Sequence, residues 1–489
     1  MHIISEFEKD RLIQHNQAEL GALCDESCWL PPENQRIAED TRRRLLDLLS
    51  SRINFSFSGT KPHSGMLSPG CRLCGEGLWS CLFINNICNA NCFYCPSEQK
   101  QRDIPTTNVL QFDSPPDYTD YLATFGFKGA SISGGEPFLT YERTIRFVRQ
   151  VKKKFGDGIY LWLYTNGILA TQESLGQLAD AGLDEVRYNI GATGFSLEHA
   201  QKAVGIIRNV TVEIPAVPER FDILAERIVD MYEAGIDFLN LHQIRCTAYN
   251  SRHLTDRDYT LLHGPSVGVL ESELTALKLL NLIAERSIGL PVNYCALIYR
   301  NRYHAKAAHL RYAPLMKRSF ENITGTGMIR NLSAVLPPDA ISSLEGHFIA
   351  AGHDPSTWYY DRSSRSLHFG AELLSPVLAQ GSSLTISYSI AMLRQAVTYR
   401  NPFREIRLNK HRKVAVERSR LYHNLELTPP EARFFKKHIL DRPGWSPDID
   451  EIISLLKSEM DVDCSAGDRE KWCRILQAER IREGLLEYY

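Results

Sequence analysis

The chain has 489 residues, enough for two or three domains, and its 43% hydrophobic and 23% charged content is that of an ordinary globular protein. A formal net charge of −2 gives no overall attraction to nucleic acid or to an anionic membrane, and no apolar run approaches the roughly 18 residues of a spanning helix. The charged N-terminus lacks the apolar centre of a signal peptide, so a cytoplasmic location is expected.

Residues 1–68 read as a helical extension. Positions 35–51 carry helical apolar spacing, and Pro31-Pro32 and Pro62-His63-Ser64-Gly65 punctuate it. A run of 79–84 then reads as a strand. From there strands and helices alternate. Strands are predicted at 129–133, 159–164, 185–190, 210–216, 238–244 and 291–296, with helices at 141–155, 172–181, 197–207, 223–234 and 271–286. Such alternation predicts a parallel sheet with crossover helices, in an α/β fold that forms a partial or complete (β/α) barrel over 69–310. Chemistry in these barrels sits at the C-terminal ends of strands. Past residue 311 the pattern changes. Strands at 328–335, 366–369 and 383–390, with a hairpin turn at 361–365, predict a β-rich domain over 311–400, and 401–489 reads as a basic helical region. Together the last two make a C-terminal α+β region. There is no internal repeat or low-complexity tract.

Twelve cysteines stand in the chain, six of them between Cys71 and Cys95. In a long intracellular chain such clustering reads as metal or redox chemistry rather than disulfides. Cys88, Cys92 and Cys95, spaced three residues and then two, follow the first predicted barrel strand. An iron–sulfur cluster normally takes four thiolates, so three on one loop predict a cluster with one iron open to another ligand. A zinc site or buried structural thiols would be the ordinary alternatives, though zinc knuckles more often pair two short cysteine motifs. Gly134-Gly135-Glu136-Pro137 ends the second strand. Two residues without Cβ allow close backbone approach to a ligand, Glu136 offers an acceptor for an ammonium group, and Pro137 opens a helical turn. Thr165-Asn166-Gly167 ends the third strand, and Arg187, Tyr188 and Asn189 end the fourth.

These elements, in this order, resemble the radical S-adenosylmethionine (SAM) superfamily. The resemblance implies a 4Fe–4S cluster on Cys88, Cys92 and Cys95 whose open iron takes SAM. An electron from a flavodoxin- or ferredoxin-type donor would cleave SAM to a 5′-deoxyadenosyl radical that abstracts hydrogen from a substrate. It places Gly134, Gly135, Glu136 and Pro137 around the amino group of SAM, Thr165 and Asn166 near its carboxylate, Tyr94 against adenine and Asn189 at the ribose or carboxylate.

Upstream, Cys71, Cys74 and Cys81 supply three more thiols. Closure of the barrel would bring Cys295, in Asn293-Tyr294-Cys295, beside the first strand as a fourth. Residues 69–310 resemble the branch of the superfamily related to the pyruvate formate-lyase activating enzyme. An auxiliary Fe–S cluster is the leading expectation for these four, ahead of a mononuclear iron or a zinc and of free thiols. Cys24, Cys28, Cys464 and Cys473 read as isolated thiols that could form a further site only if the termini meet. Cys246, after the sixth strand, reads as a packed cysteine or a substrate contact.

Nine Lys or Arg fall within 394–420. They could meet RNA phosphates, but few aromatics interleave, and a solvated helix face is the ordinary reading. No Rossmann-like segment of the cobalamin-binding kind precedes the barrel. The substrate expectations are therefore a peptide or protein, or a small metabolite or lipid precursor, with RNA modification and a non-catalytic Fe–S or zinc protein as alternatives.

Overall fold

The computed structural model of the protein describes residues 6–23, 28–99, 104–460 and 464–489. It divides into two compact units, Met1–His304 together with Glu483–Tyr489, and Ala305–Arg482.

The first unit contains strands β1 (Asn54–Ser56), β2 (Lys61–Ser64), β3 (Trp79–Phe83), β4 (Thr106–Thr107), β5 (Leu110–Gln111), β6 (Gly129–Ser133), β7 (Tyr160–Thr165), β8 (Glu185–Tyr188), β9 (Asn209–Pro215), β10 (Phe238–His242), β11 (Leu261–Leu262), β12 (Gly268–Val269) and β13 (Val292–Cys295). Eleven of these form one sheet in the order β1-β2-β13-β10-β9-β8-β7-β6-β3-β4-β5. Every pairing from β3 through β6, β7, β8, β9 and β10 to β13 is parallel. The α/β alternation in the sequence is the cause. β7 reads Tyr-Leu-Trp-Leu-Tyr-Thr and is almost wholly buried, as a strand covered on both faces must be. The helix Tyr141–Phe155 beside it buries Thr144, Ile145, Phe147, Val148 and Val151 along one stripe, and Lys152, Lys153 and Lys154 complement the dipole of its last turn.

The barrel does not close. β13 pairs antiparallel with β2, and β3 pairs antiparallel with β4, so the first and last parallel strands are not partners. The N-terminal extension is therefore more than helical. Besides the helices Glu6–Leu20 and Pro32–Ser50 it gives the sheet β1 and β2. β2 contains Pro62, which has no N–H for a ladder, and that is why its sequence reads as a turn. The helix expected over 197–207 shrinks to Glu198–Gln201, because Gly205 at φ +78° turns the chain where a helix would continue.

Two further segments complete this unit. The short helix Pro69–Gly75 starts with Ser68, whose Oγ accepts the Cys71 N–H at 3.1 Å. It enters the barrel interior, where a Cβ on Gly70 would overlap the Arg187 guanidinium. The C-terminal residues return to the N-terminal helices. Arg42, 1% exposed, is bonded to Glu39, Glu273 and the Leu486 carbonyl, and its guanidinium lies 3.8 Å from the centre of the Tyr488 ring.

The second unit holds strands β14 (Asn322–Ile323), β15 (Ile329–Val335), β16 (Trp358–Asp361), β17 (Ser366–Phe369), β18 (Leu384–Arg394), β19 (Phe403–Arg407) and β20 (Lys413–Leu427), all antiparallel, in the order β16-β17-β15-β18-β20-β19 with β14 on β15. Its core joins Leu332, Ile386, Leu427 and Phe369 of the sheet to Phe348, Phe435, Ile452 and Trp472 of its helices. The basic segment 394–420, expected as helix, is largely strand. β-branched Ile406, Val414 and Val416 and long cross-strand pairing with β18 override its charge. Helices follow only from Pro429 onward. No helix among the described residues is long and apolar enough to cross a membrane.

Candidate active site

The cysteine loop leaves β3 at the C-terminal end of the parallel sheet and is fixed there by its neighbour β6. Ile84 donates to the Ser133 carbonyl at 2.8 Å, and Glu136 donates its N–H to the Ile87 carbonyl at 2.7 Å. Asn85 answers with its side chain, donating to the Glu136 carbonyl at 2.9 Å and to Thr140 Oγ1 at 2.8 Å. The need for two glycines follows from this contact. A Cβ on Gly135 would overlap the Ile87 carbonyl, and one on Gly134 (φ +136°) would overlap that of Asn85. The atoms that crowd the glycine pair thus belong to the cysteine loop itself.

Cys88, Cys92 and Cys95 are all partly exposed. Cys95 N–H closes a turn on the Cys92 carbonyl at 3.0 Å. Each sulfur faces a nitrogen donor: Ala90 N at 3.4 Å and Asn166 Nδ2 at 3.8 Å from Cys88, Asn189 Nδ2 at 3.9 Å from Cys92, and Gln99 Nε2 at 3.9 Å from Cys95. Burial pushes the Cys88 and Cys92 thiols up, and the neighbouring Cys95 adds to it. Thiols such as Cys88 and Cys92 that resist ionising are stabilised as thiolates by a bound cation. This donor set fits a cluster held at three corners.

Glu136 joins three elements. It is 1% exposed. Its Oε1 accepts from Phe138 N at 3.0 Å and Thr165 Oγ1 at 2.8 Å, and its Oε2 accepts from Asn166 N at 2.7 Å. Burial raises its pKa despite these three donors. The carboxylate thus straps β6 to β7, with one acceptor position left on Oε2 for an ammonium group. Asn166 continues the strap, donating to Asn89 Oδ1 at 2.7 Å inside the cysteine loop. Pro137 starts a buried turn of 3₁₀-helix. Tyr94, 9% exposed, donates to Asn189 Oδ1 at 2.9 Å, and its hydroxyl fills the space over Gly191. The Tyr188 hydroxyl is buried with no hydrogen-bond partner. The structure thus brings Cys88, Cys92, Cys95, Tyr94, Gly134, Gly135, Glu136, Thr165, Asn166 and Asn189 to one end of four adjacent strands. These residues also fit SAM, since Glu136 keeps a free acceptor position close to Cys88 and the buried Tyr188 hydroxyl near Glu136 has no partner. Asn85 and Asn89 went unnoticed in the sequence, where an asparagine in a loop carries no distinctive signal.

The interior of the barrel holds a second group. Arg187 is buried in ion pairs with Glu185 at 2.9 Å and Glu213 at 2.6 Å, and it also donates to Ser68 Oγ at 3.1 Å. Glu213 pairs with His242 as well, at 2.9 Å. Around Cys71 converge Arg187 Nη1 at 3.8 Å and Asn293 Nδ2 at 3.9 Å. Cys74 Sγ lies 3.1 Å from His304 Nε2. Burial pushes the Cys74 thiol up to about 12, with Cys295 adding to it, and brings His304 down to about 4, so its imidazole is neutral. Lys61, 1% exposed, sits 4.3 Å from the centre of the Tyr299 ring. Burial works against its charge, yet Cys295, Cys71, Cys74 and Glu213 outweigh that and raise its pKa.

Cys81 shares Arg187 and Glu213 with this group but has none of its thiols among its neighbours. Its neighbours are Ser131, Glu213 and Arg187, and burial pushes it up to about 11. The open barrel is the reason. Cys295 reaches Cys71 and Cys74 through the helix Pro69–Gly75 inside the sheet, whereas the closure that would have placed it beside Cys81 on β3 does not occur. Cys246 is fully buried. Cys28 belongs to the first unit, Cys464 and Cys473 pack in the core of the second, and Cys24 lies outside the described residues.

Comparison with known proteins covers the same ground. Residues 82–214 match the radical SAM superfamily model. A Methanocaldococcus jannaschii protein, provisionally named a glycyl-radical enzyme activating enzyme, is 30% identical over 278 residues, which are 54% of this chain and 72% of that protein. The GTP 3',8-cyclase of Aliarcobacter butzleri is 34% identical over 115 residues, 24% of this chain and 34% of the cyclase. Among solved structures, SuiB of Streptococcus suis bound to S-adenosylmethionine aligns at 13% identity and a TM-score of 0.33, over 45% of this chain and 50% of SuiB. The chain therefore spans half of SuiB and about a third of the cyclase, but most of the archaeal protein. With that extent of shared sequence running through the three-thiol loop and the strands that hold it, the chain belongs to the radical SAM superfamily of enzymes.

Proposed function

We propose that this radical SAM enzyme abstracts a hydrogen atom from a peptide or protein. The observation that carries this reading is the match over 72% of a relative named for activating a glycyl-radical enzyme, in which the group acted on is part of a polypeptide. The alternative of a non-catalytic iron–sulfur or zinc protein falls with membership of an enzyme superfamily.

In this reading Cys88, Cys92 and Cys95 hold three irons of a 4Fe–4S cluster, and Glu136, Thr165, Asn166 and Asn189 orient SAM beside the fourth. When bound, these groups supply reductive cleavage of a sulfonium and a carbon-centred radical that takes hydrogen from the substrate. The chain itself positions and shields. Gly134 and Gly135 let the loop seat on β6, Glu136 fixes the ends of β6 and β7, and Tyr94 with Asn189 closes the side at β8. A flavodoxin- or ferredoxin-type protein is the proposed electron donor.

A small-molecule substrate is the second reading, favoured by the identity shared with the cyclase over 115 residues. RNA is a weaker third. In the basic segment Arg418 is committed to Glu321 at 2.7 Å and Lys413 to Glu405 at 2.7 Å, so those charges are not all offered to phosphate.

The test is anaerobic reconstitution with iron, sulfide, SAM and reductant, followed by assay for 5′-deoxyadenosine in the presence of fully deuterated host extract. Deuterium is expected in the deoxyadenosine when the macromolecular protein fraction is supplied. Label arriving only from the small-molecule or RNA fraction would overturn the polypeptide reading.

A further inference from the structure

We propose that Cys71, Cys74, Cys295 and His304 form a second metal centre in the barrel interior, with Lys61 as its buried counter-charge. This revises the ligand set expected from the sequence in two ways: Cys81 leaves it and His304 enters. The proposal is independent of which substrate the enzyme takes.

Three observations carry it. The first is convergence from four separate elements. Cys71 and Cys74 lie on the helix Pro69–Gly75, Cys295 ends β13, His304 lies on the helix Leu297–Met316 and Lys61 opens β2. Two of these donors, Cys74 Sγ and His304 Nε2, are 3.1 Å apart.

The second observation is the lysine. An ammonium 1% exposed must be compensated, because burying an unpaired charge is costly. Glu213, the carboxylate nearest in influence, is already engaged by Arg187 and His242. The face of the Tyr299 ring and the sulfurs of Cys295, Cys71 and Cys74 remain around Lys61. Held by a metal as thiolates, these sulfurs would balance the lysine.

The third is unmet hydrogen bonding. Asn293 Oδ1 is buried in this pocket with no partner, and native proteins seldom leave such an atom unpaired. Arg187 and Asn293 meanwhile aim N–H groups at the Cys71 sulfur, as in second shells that stabilise metal-bound thiolates. Three thiolates and one imidazole suit either an iron–sulfur cluster or a zinc ion, so the shared chemistry is ligation of a thiophilic metal.

The experiment removes the first site and looks for the second. The full-length Cys88→Ala/Cys92→Ala/Cys95→Ala variant is reconstituted in one arm with ferrous iron and sulfide and in another with zinc, desalted, and analysed for metal and acid-labile sulfide. Retention of iron with sulfide identifies a cluster, and stoichiometric zinc alone identifies a mononuclear site. Either supports the proposal. A folded variant that binds neither overturns it. Adding Cys74→Ala or His304→Ala is expected to abolish the retained metal, whereas Cys81→Ala should leave it unchanged. Equal loss with Cys81→Ala would overturn the ligand set. Should the added substitutions prevent folding, X-ray absorption at the metal edge of the starting variant decides. A mixed sulfur and nitrogen shell supports His304 as a ligand, and a shell of sulfur alone overturns it.

Discussion

Gly135 shows how much of the site depends on single atoms. A methyl group there would occupy the position of the Ile87 carbonyl, part of the backbone leading into Cys88. Gly135→Ala is therefore expected to displace the cysteine loop and to strip the first cluster, read as a loss of iron and sulfide per chain. Gly176→Ala is the control. Its Cβ would meet nothing within 4 Å, in the helix Gln172–Asp180, and should raise stability by about 0.5–1 kcal/mol in a denaturant titration. At this scale the sequence was readable where function is written in contiguous residues. Cys88, Cys92 and Cys95, Gly134 to Glu136, and Thr165 with Asn166 all lie in short motifs. Lys61 and His304 were not readable, because a lone lysine or histidine carries no motif and each meets a thiol more than two hundred positions away, Cys295 and Cys74 respectively, only through three-dimensional packing. The role of Glu136 was half readable. Its acidity and place were evident, but its bonds to Thr165 and Asn166 make it a strap between strands before it is anything else.

At the scale of elements, the interior faces of β8, β9 and β10 carry charge where a small barrel would bury aliphatic side chains. Arg187, Glu213 and His242 lie in sequence-adjacent strands whose registers bring them together. Burial alone would raise the Glu213 pKa, but Arg187 and His242 outweigh it and hold the carboxyl well below the usual range. The folded chain thus keeps this charge to lower pH than the unfolded chain does. Its stabilising contribution is present above the unfolded carboxylate pKa of about 4.3 and is lost as pH falls from there toward the folded value. Glu213→Gln should cost about 3–5 kcal/mol at pH 7, because it leaves Arg187 short of a buried partner. The gap to the parent should narrow below about pH 4, as followed by denaturant unfolding across that range. The parallel strands were legible here because each is a short apolar run between helical segments. β2 was not, since Pro62 disguises it as a turn, nor were β19 and β20, whose alternating charges hide a two-sided strand pattern.

For the whole molecule, the unexpected feature is the return of the C-terminus. A sequence reading divides the chain into successive segments, whereas the structure gives residues 483–489 back to the first unit. Arg42 anchors that return through Glu39, Glu273 and Leu486. Arg42→Met is expected to cost about 3–5 kcal/mol, because it leaves buried carboxylates without their cation. It should also release the last residues to carboxypeptidase, which mass spectrometry would detect. No sequence pattern announces such a contact, because it links positions more than four hundred residues apart and depends on one buried guanidinium.

Arg302 donates to the Gly484 carbonyl at 2.7 Å, so the chain leaves the first unit and re-enters it at neighbouring points. Seen from the barrel, everything from 305 to 482 is one closed loop. The entropy lost in closing a loop grows only with the logarithm of its length, so the barrel tolerates a long insert here almost as readily as a short one. That insert can therefore diverge, lengthen or be exchanged while the thiol loop and its strap keep their geometry.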